Sequence, residues 1–253
     1  MIAVGKTDIG KKRVCNEDAF FVTTQKHGPL PNIYIVADGM GGHKAGYYAS
    51  HAAIQFICEF MVDHAELVFS SDDDIVQFLK RAISHANYQL FQQANTNPDY
   101  KGMGTTLTIS TVINEMLYTA HVGDSRLYII NNETMCQVTQ DHSLVQEMVE
   151  NGYISELEAK THPKRHIITR AVGTYEKVKV DTYSSSLEGV QYIFLCSDGV
   201  TTMLSDGEIH TIIIGDEELE YKVDTLISFA NDRGGIDNIT VVLAIYDKVV
   251  KMC

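Results

Sequence analysis

The chain is 253 residues long, 45% hydrophobic and 21% charged, a balance that supplies ample core material and excludes intrinsic disorder as its main state. Its 20 basic and 33 acidic side chains leave a formal charge of −13, which argues against nucleic acid as the principal ligand. No apolar run reaches the ~18 residues of a membrane helix, and the first residues lack the apolar stretch of a signal peptide. The expectation is a cytoplasmic protein with no membrane contact.

In chain order, the apolar run 33–37 predicts a buried strand, and two long helical patterns follow over 45–62 and 74–93. Strands are then predicted over 105–112, 116–122, 126–130 and 135–139, an antiparallel meander whose last turn is Asn131-Asn132. Helical patterns return over 144–151 and 156–160, a buried strand over 192–196, helices over 206–213 and 219–230, and a final buried strand over 239–245. A doubly wound parallel sheet would alternate strand and helix one by one. Here they come in groups, which predicts an α+β fold with antiparallel sheets and helices outside. No linker or internal repeat interrupts the chain, so 1–253 reads as a single domain.

Cys15, Cys58, Cys136, Cys196 and Cys253 are scattered and form no CxxC pair, which speaks against a disulfide framework or a zinc–cysteine site. His162 and His166 stand at helical spacing, but Pro163 lies between them and no other ligand type adjoins. Asp72-Asp73-Asp74 reads as the acidic first turn of the second long helix, and Glu217-Glu218 in the same way before a later one. Lys164, Arg165 and Arg170 form the basic cluster of the chain and lean toward docking an acidic phosphopeptide.

The informative pattern is where the other aspartates fall. Asp38-Gly39 follows the first buried strand, Asp124 sits between two meander strands, Ser197-Asp198-Gly199 follows the second buried strand, and Asp237-Asn238 precedes the third. One Asp-Gly is an ordinary turn. Four acids abutting core strands could meet at one rim, where their mutual repulsion would call for a cation. All-oxygen ligands select Mg²⁺ or Mn²⁺, and a pair of such ions supports in-line displacement at phosphorus. Gly39-Met40-Gly41-Gly42-His43 completes neither GxGxxG nor a P-loop, and no GxSxG elbow is present.

Longer strings now line up in order. Thr7-Asp8-Ile9-Gly10 is followed by Arg13 and Asn16-Glu17-Asp18-Ala19, then by Asp38-Gly39-Met40-Gly41-Gly42-His43 with Gly46 and Ala49-Ser50. Gly102-Met103-Gly104-Thr105-Thr106 and Val122-Gly123-Asp124-Ser125-Arg126 come next. Asp141-His142-Ser143 opens a stretch ending in His162-Pro163 and Thr169-Arg170-Ala171-Val172-Gly173. Ser197-Asp198-Gly199 and Gly234-Gly235-Ile236-Asp237-Asn238-Ile239-Thr240 close the series. Over essentially the whole chain this series resembles the protein phosphatase 2C (PPM) family of metal-dependent serine/threonine phosphatases, its compact stand-alone bacterial members in particular.

The resemblance implies a central antiparallel β-sandwich flanked by helices, a four-layer αββα arrangement, with metals at one end and a flap-like segment at about 142–173. It implies that Asp38 bridges two Mn²⁺ or Mg²⁺ ions, that Gly39 adds its carbonyl oxygen, and that Asp198 and Asp237 complete the core site. Asp124, with Asp198, would hold a third, weaker ion. Asp18, or its neighbour Glu17, would orient the attacking water. Arg13 would bind the substrate phosphate, a task that suits its fixed bidentate donors. His43 is either the general acid toward the leaving oxygen or a solvated loop residue. Tyr47 stands where the family usually has Glu, a change that removes no expected ligand.

The activity so implied is hydrolysis of phosphoserine and phosphothreonine on proteins by direct attack of a metal-bridged water, without a phosphoenzyme. The implied partners are phosphorylated proteins and a bacterial serine/threonine kinase whose action is reversed, the protein itself acting as a monomer. Two alternatives stay open: a catalytically silent binding module on the same fold, and a small-molecule phosphohydrolase using the same metals.

Overall fold

Strands that are apolar on both faces can only sit between layers, and the fold uses them so. The structure, a computed structural model, describes residues 1–246 apart from the side chain of His43; Cys253 lies outside the described residues. It opens with β1 (Ile2–Asp8), β2 (Asp18–Thr23) and β3 (Ile33–Met40), followed by the helices α1 (His43–Asp63) and α2 (Asp72–Thr96). The middle of the chain forms β4 (Gly104–Thr105), β5 (Leu107–Ile113), β6 (Met116–Val122), β7 (Arg126–Ile130) and β8 (Met135–Gln137). Helices α3 (Leu144–Glu150) and α4 (Glu156–Thr161) lie in the segment expected to be flap-like. The chain then forms β9 (Asp181–Ser186) and β10 (Tyr192–Cys196), helices α5 (Asp198–Thr201), α6 (Asp206–Ile214) and α7 (Leu219–Asp232), and finally β11 (Ile239–Ile245).

Two antiparallel sheets result, one in the order β1-β11-β10-β7-β8 and the other β2-β3-β5-β6-β9, with β4 added to β3. Period-2 alternation assigns the faces. Along β3, Ile33, Ile35 and Ala37 join the core under α1 and α2, while Tyr34 and Val36 point between the sheets. Along β11, Val242 and Ala244 meet them there, and Ile239, Val241 and Leu243 pack under α6 and α7. Helix, sheet, sheet, helix is the layering expected from the sequence.

The helices match their patterns to within a turn, and Ser71 with Asp74 closes a capping box at the start of α2. Three strands escaped the sequence reading: β1, β2 and β9. All lie at sheet edges, where one side faces solvent or loops, so Lys6 in β1 and the serines of β9 weaken the apolar signal; backbone pairing to β11, β3 and β6 makes them strands. The predicted strand 105–112 is broken at Thr106. There the backbone turns aside to donate from Thr106 N to Asp38 O at 2.8 Å, and Thr106 Oγ1 accepts from Asp38 N at 2.9 Å. Residues 198–201, read as a turn, form the short α5.

Asn87, 1% exposed on α2, pins the stretch just beyond the flap-like segment. Its Nδ2 donates to the carbonyls of Tyr175 and Glu176, both at 3.0 Å, and its Oδ1 accepts from Gly173 N at 2.8 Å. Asn87→Ala would strand these buried groups and is expected to cost about 2–4 kcal/mol in urea unfolding. An unchanged unfolding midpoint would mean that the stretch is held by something else.

Candidate active site

Antiparallel pairing brings the ends of β3 and β10, the β6–β7 turn and the start of β11 to the same edge of the sandwich. Asp38, Asp124, Asp198 and Asp237 therefore line one cleft of about 1570 Å³, together with Arg13 and Gly39. Gly39 is required by close approach: a Cβ there would lie 2.1 Å from the carbonyl oxygen of Gly46 and 2.5 Å from that of Glu17. Gly39 N in turn donates to Glu17 O at 3.1 Å, which fixes the strand end that carries Asp38.

The electrostatics follow from this crowding. Burial first, then the charges of Asp18, Asp198, Asp124 and Asp237, raise the Asp38 carboxyl well above the usual range. Asp124 is likewise raised, by burial and then by Asp198. Burial followed by Asp237 pushes Asp198 up to about 6, although Arg13 and Arg126 oppose the shift. Asp18 is pushed up to about 7 by burial, against hydrogen bonds from Thr240 and Ser197.

Several protons or cations are needed to hold these groups together, and the orphaned atoms favour cations. Asp198 Oδ1 and Asp18 Oδ1 are buried without a hydrogen-bond partner, a costly state for a carboxylate unless an ion completes it. Among the described residues no group of three or more His, Cys, Asp or Glu side chains is placed to hold a metal ion as the side chains stand. An open ring of oxygens suits Mg²⁺ or Mn²⁺ better than a closed cage, because Mg²⁺ keeps several waters and takes only one or two carboxylates. The donors gathered here are all oxygen, the kind that hard divalent ions take.

The sequence-derived positions separate into groups. Asp38, Gly39, Asp124, Asp198, Asp237, Glu17 and Arg13 come together at the cleft. Asp18, 2% exposed, stands behind it rather than in it. Directly opposite Asp38 in the β2–β3 register, it accepts from Ser197 Oγ at 2.7 Å and Thr240 Oγ1 at 2.6 Å, tying one sheet to the other. Arg13 Nη2 donates to Asp237 Oδ2 at 2.7 Å. The expectation for His43 concerns a side chain outside the described residues; its backbone opens α1. Tyr47 is 48% exposed and stacks on His51 at 4.0 Å between ring centroids, apart from the cleft.

The basic cluster divides. Arg165, with Lys160, lines the cleft, whereas Arg170 does not line it and pairs with Asp181 at 3.0 Å. Two supports were missed in the sequence. Asn238 takes Glu17 N at 2.8 Å on Oδ1 and donates from Nδ2 to the carbonyls of Ile9 and Cys15, and Arg126 grips Asp141 through Nε and Nη2. Their signal was present: Asn238 directly follows Asp237, and Arg126 stands two residues after Asp124.

Known proteins resemble this chain in sequence and in fold. The family model described as protein phosphatase 2C matches residues 4–243. A serine/threonine phosphatase, stp, of Listeria welshimeri is 39% identical over 243 residues, spanning 96% of this chain and 95% of that protein. Protein phosphatase PhpP of Streptococcus pneumoniae is 38% identical over 240 residues, with 94% of each chain covered. The crystal structure of the serine/threonine phosphatase Stp1 from Staphylococcus aureus superimposes with a TM-score of 0.89 at 35% identity, covering 97% of this chain and 94% of that one. Matched from end to end in sequence and in fold, the chain belongs to the protein phosphatase 2C family.

Proposed function

We propose that this chain is a Mn²⁺- or Mg²⁺-dependent protein phosphatase that hydrolyses phosphoserine and phosphothreonine on proteins, the whole chain acting as one catalytic domain. The observation that carries the reading is the ring of mutually repelling carboxylates with an orphaned oxygen on Asp198. Asp38, Asp198 and Asp237, with the Gly39 carbonyl, would hold two ions, and Asp124 with Asp198 a third. When bound, the ions supply an activated water and offset charge on the phosphoryl oxygens.

The chain's own groups do the rest. Asp18, fixed through Oδ2 by Ser197 and Thr240 and opposite Asp38 in the strand register, would keep the water's orientation. Arg13, held at the cleft by Asp237, would clamp the substrate phosphate through its forked guanidinium. Cleft size bears on the substrate: about 1570 Å³ exceeds the ~300–1,000 Å³ of small-molecule sites and accommodates a peptide segment. Phosphorylated proteins, as the names of its phosphatase relatives also suggest, would be the substrates, in opposition to a serine/threonine kinase. No helix among the described residues is long and apolar enough to cross a membrane, and we place the enzyme in the cytoplasm as a monomer.

Turnover of an aryl phosphate is expected to vanish in excess chelator and return with Mn²⁺, and phosphoserine and phosphothreonine peptides are expected to outrun phosphotyrosine peptides. Equal turnover in chelator would end the metal mechanism, and equal rates on phosphotyrosine would end the assigned substrate class.

A further inference from the structure

A buried cluster behind Asp124 has no part in the reaction as described. His142 is 4% exposed, and its polar atoms are engaged. Its backbone N donates to Gly123 O at 2.7 Å, and its Nδ1 accepts from Gly123 N at 3.0 Å. A ring nitrogen that accepts carries no proton, so the imidazole proton resides on Nε2. Nε2 donates to Asp181 Oδ2 at 3.1 Å, and Arg170 Nη1 donates to the other oxygen, Oδ1, at 3.0 Å while also lying 3.0 Å from Nε2, so that the two donors share one carboxylate. Burial, then the charge of Arg170, lowers the His142 pKa and keeps the ring neutral. From β6, the His121 ring packs on it at 4.8 Å between centroids, itself held by Thr108 Oγ1 at 2.9 Å.

The same residue staples the segment that carries α3 and α4. His142 O accepts from Thr169 N at 2.8 Å, Leu144 N donates to Ile167 O at 2.8 Å, and Ser143 bridges to Ile168. Both ends of the segment thus close on His142, with Arg170 one residue beyond. On the other side, Gly123 directly precedes Asp124. Its φ is 114°, and a Cβ would lie 2.5 Å from Thr106 Cβ, so no side chain can anchor it. The two bonds to His142 set the aim of the Asp124 turn.

We propose that His142, oriented by Asp181 and Arg170, is a positioning residue that couples segment 143–168 to the Asp124 turn, so that a cation on Asp124 and the order of that segment stabilise each other. The inference rests on the proposed role of Asp124 as the ligand of a weaker ion. Coupling of this kind is reciprocal: whatever loosens the segment weakens the ion, and the ion protects the segment.

The test uses the full chain, calorimetric Mn²⁺ titration to separate tight from weak sites, and amide hydrogen exchange of 143–168 with and without Mn²⁺. His142→Gln still reaches Asp181 but withdraws the acceptor from Gly123; His142→Asn keeps that acceptor and gives up Asp181. With His142→Gln the weakest Mn²⁺ site is expected to weaken about tenfold, with the tight sites unchanged and the Mn²⁺-dependent protection of 143–168 lost. His142→Asn should weaken that site less. If His142→Gln does not fold, Asp181→Asn decides, with loss of the same protection expected. Uniform weakening of all sites, or none where Asp124→Asn removes the weak one, overturns the inference alone. If Asp124→Asn removes no site, the role of Asp124 falls and the inference with it.

Discussion

Asp38→Asn is expected to cut phosphopeptide turnover on the order of 10³-fold while raising the Tm of the chelated protein. Both effects have one cause. Asp38 sits among Asp18, Asp124, Asp198 and Asp237, and its charge is useful only with cations present. Without them, the folded state holds protons that the unfolded chain releases near pH 4. Folded-state values are about 7 for Asp18 and about 6 for Asp198, with Asp38 higher than usual. Their contribution to stability is complete below pH ~4 and is lost as pH rises through those values. The chelated enzyme should therefore melt on the order of 5–10 °C lower at pH 8 than at pH 5. Asp38→Asn should flatten that fall, and excess Mn²⁺ should abolish it, because bound cations take the place of protons. Calorimetric melting across this pH range in chelator is the measurement. A wild-type Tm that climbs with pH, or a variant that retains most of its turnover, would show that the carboxylates are not gathered as described.

Asp141→Ala is expected to cost about 1–3 kcal/mol of folding stability, because it removes the two-point partner of a guanidinium that is largely, though not fully, withdrawn from water. Arg126 donates to Asp141 from Nε at 2.9 Å and from Nη2 at 2.7 Å, a two-point grip, while its Nη1 donates to Tyr128 Oη at 3.2 Å. With Asp141 only 14% exposed, water cannot take its place cheaply. The loss has a functional side too. Arg126 already lowers the Asp124 carboxyl's affinity for protons, and a guanidinium released from Asp141 would compete with cations for it. Replacing both partners, Arg126→Met with Asp141→Leu, should recover much of the stability, as apolar pairs often do. Urea unfolding of the two single variants and the double decides this. A cost below about 1 kcal/mol for Asp141→Ala would place the pair in the class of solvent-exposed contacts.

The sequence reading located the central strands well because β3, β10 and β11 are buried on both faces, and continuous apolar runs survive without knowledge of the partners. It missed β1 and β9, edge strands whose Lys6 and serines interrupt the apolar pattern, and passed over the short apolar run of β2, although it found β8, also at an edge. The acids show the same division. Asp38, Asp124, Asp198 and Asp237 were visible as carboxylates at strand ends, and their order along the chain matched a family series. Glu17 and Asp18 are adjacent in the chain, and only the fold separates them: Glu17 lines the cleft, while Asp18 is turned inward onto Ser197 and Thr240. The cluster Lys164, Arg165 and Arg170 looked uniform and is not, since Asp181, at the start of β9, engages Arg170.

Sequence by itself determined the layered α+β class, the family, and which residue types stand ready for hard cations, because burial patterns and ordered motifs are properties of the chain read locally. Tertiary structure alone decided which carboxylates share a field, which oxygens remain orphaned, and which bases are already taken. Those depend on strand register across two sheets, and a charge acts over distances in space that residue numbering does not measure.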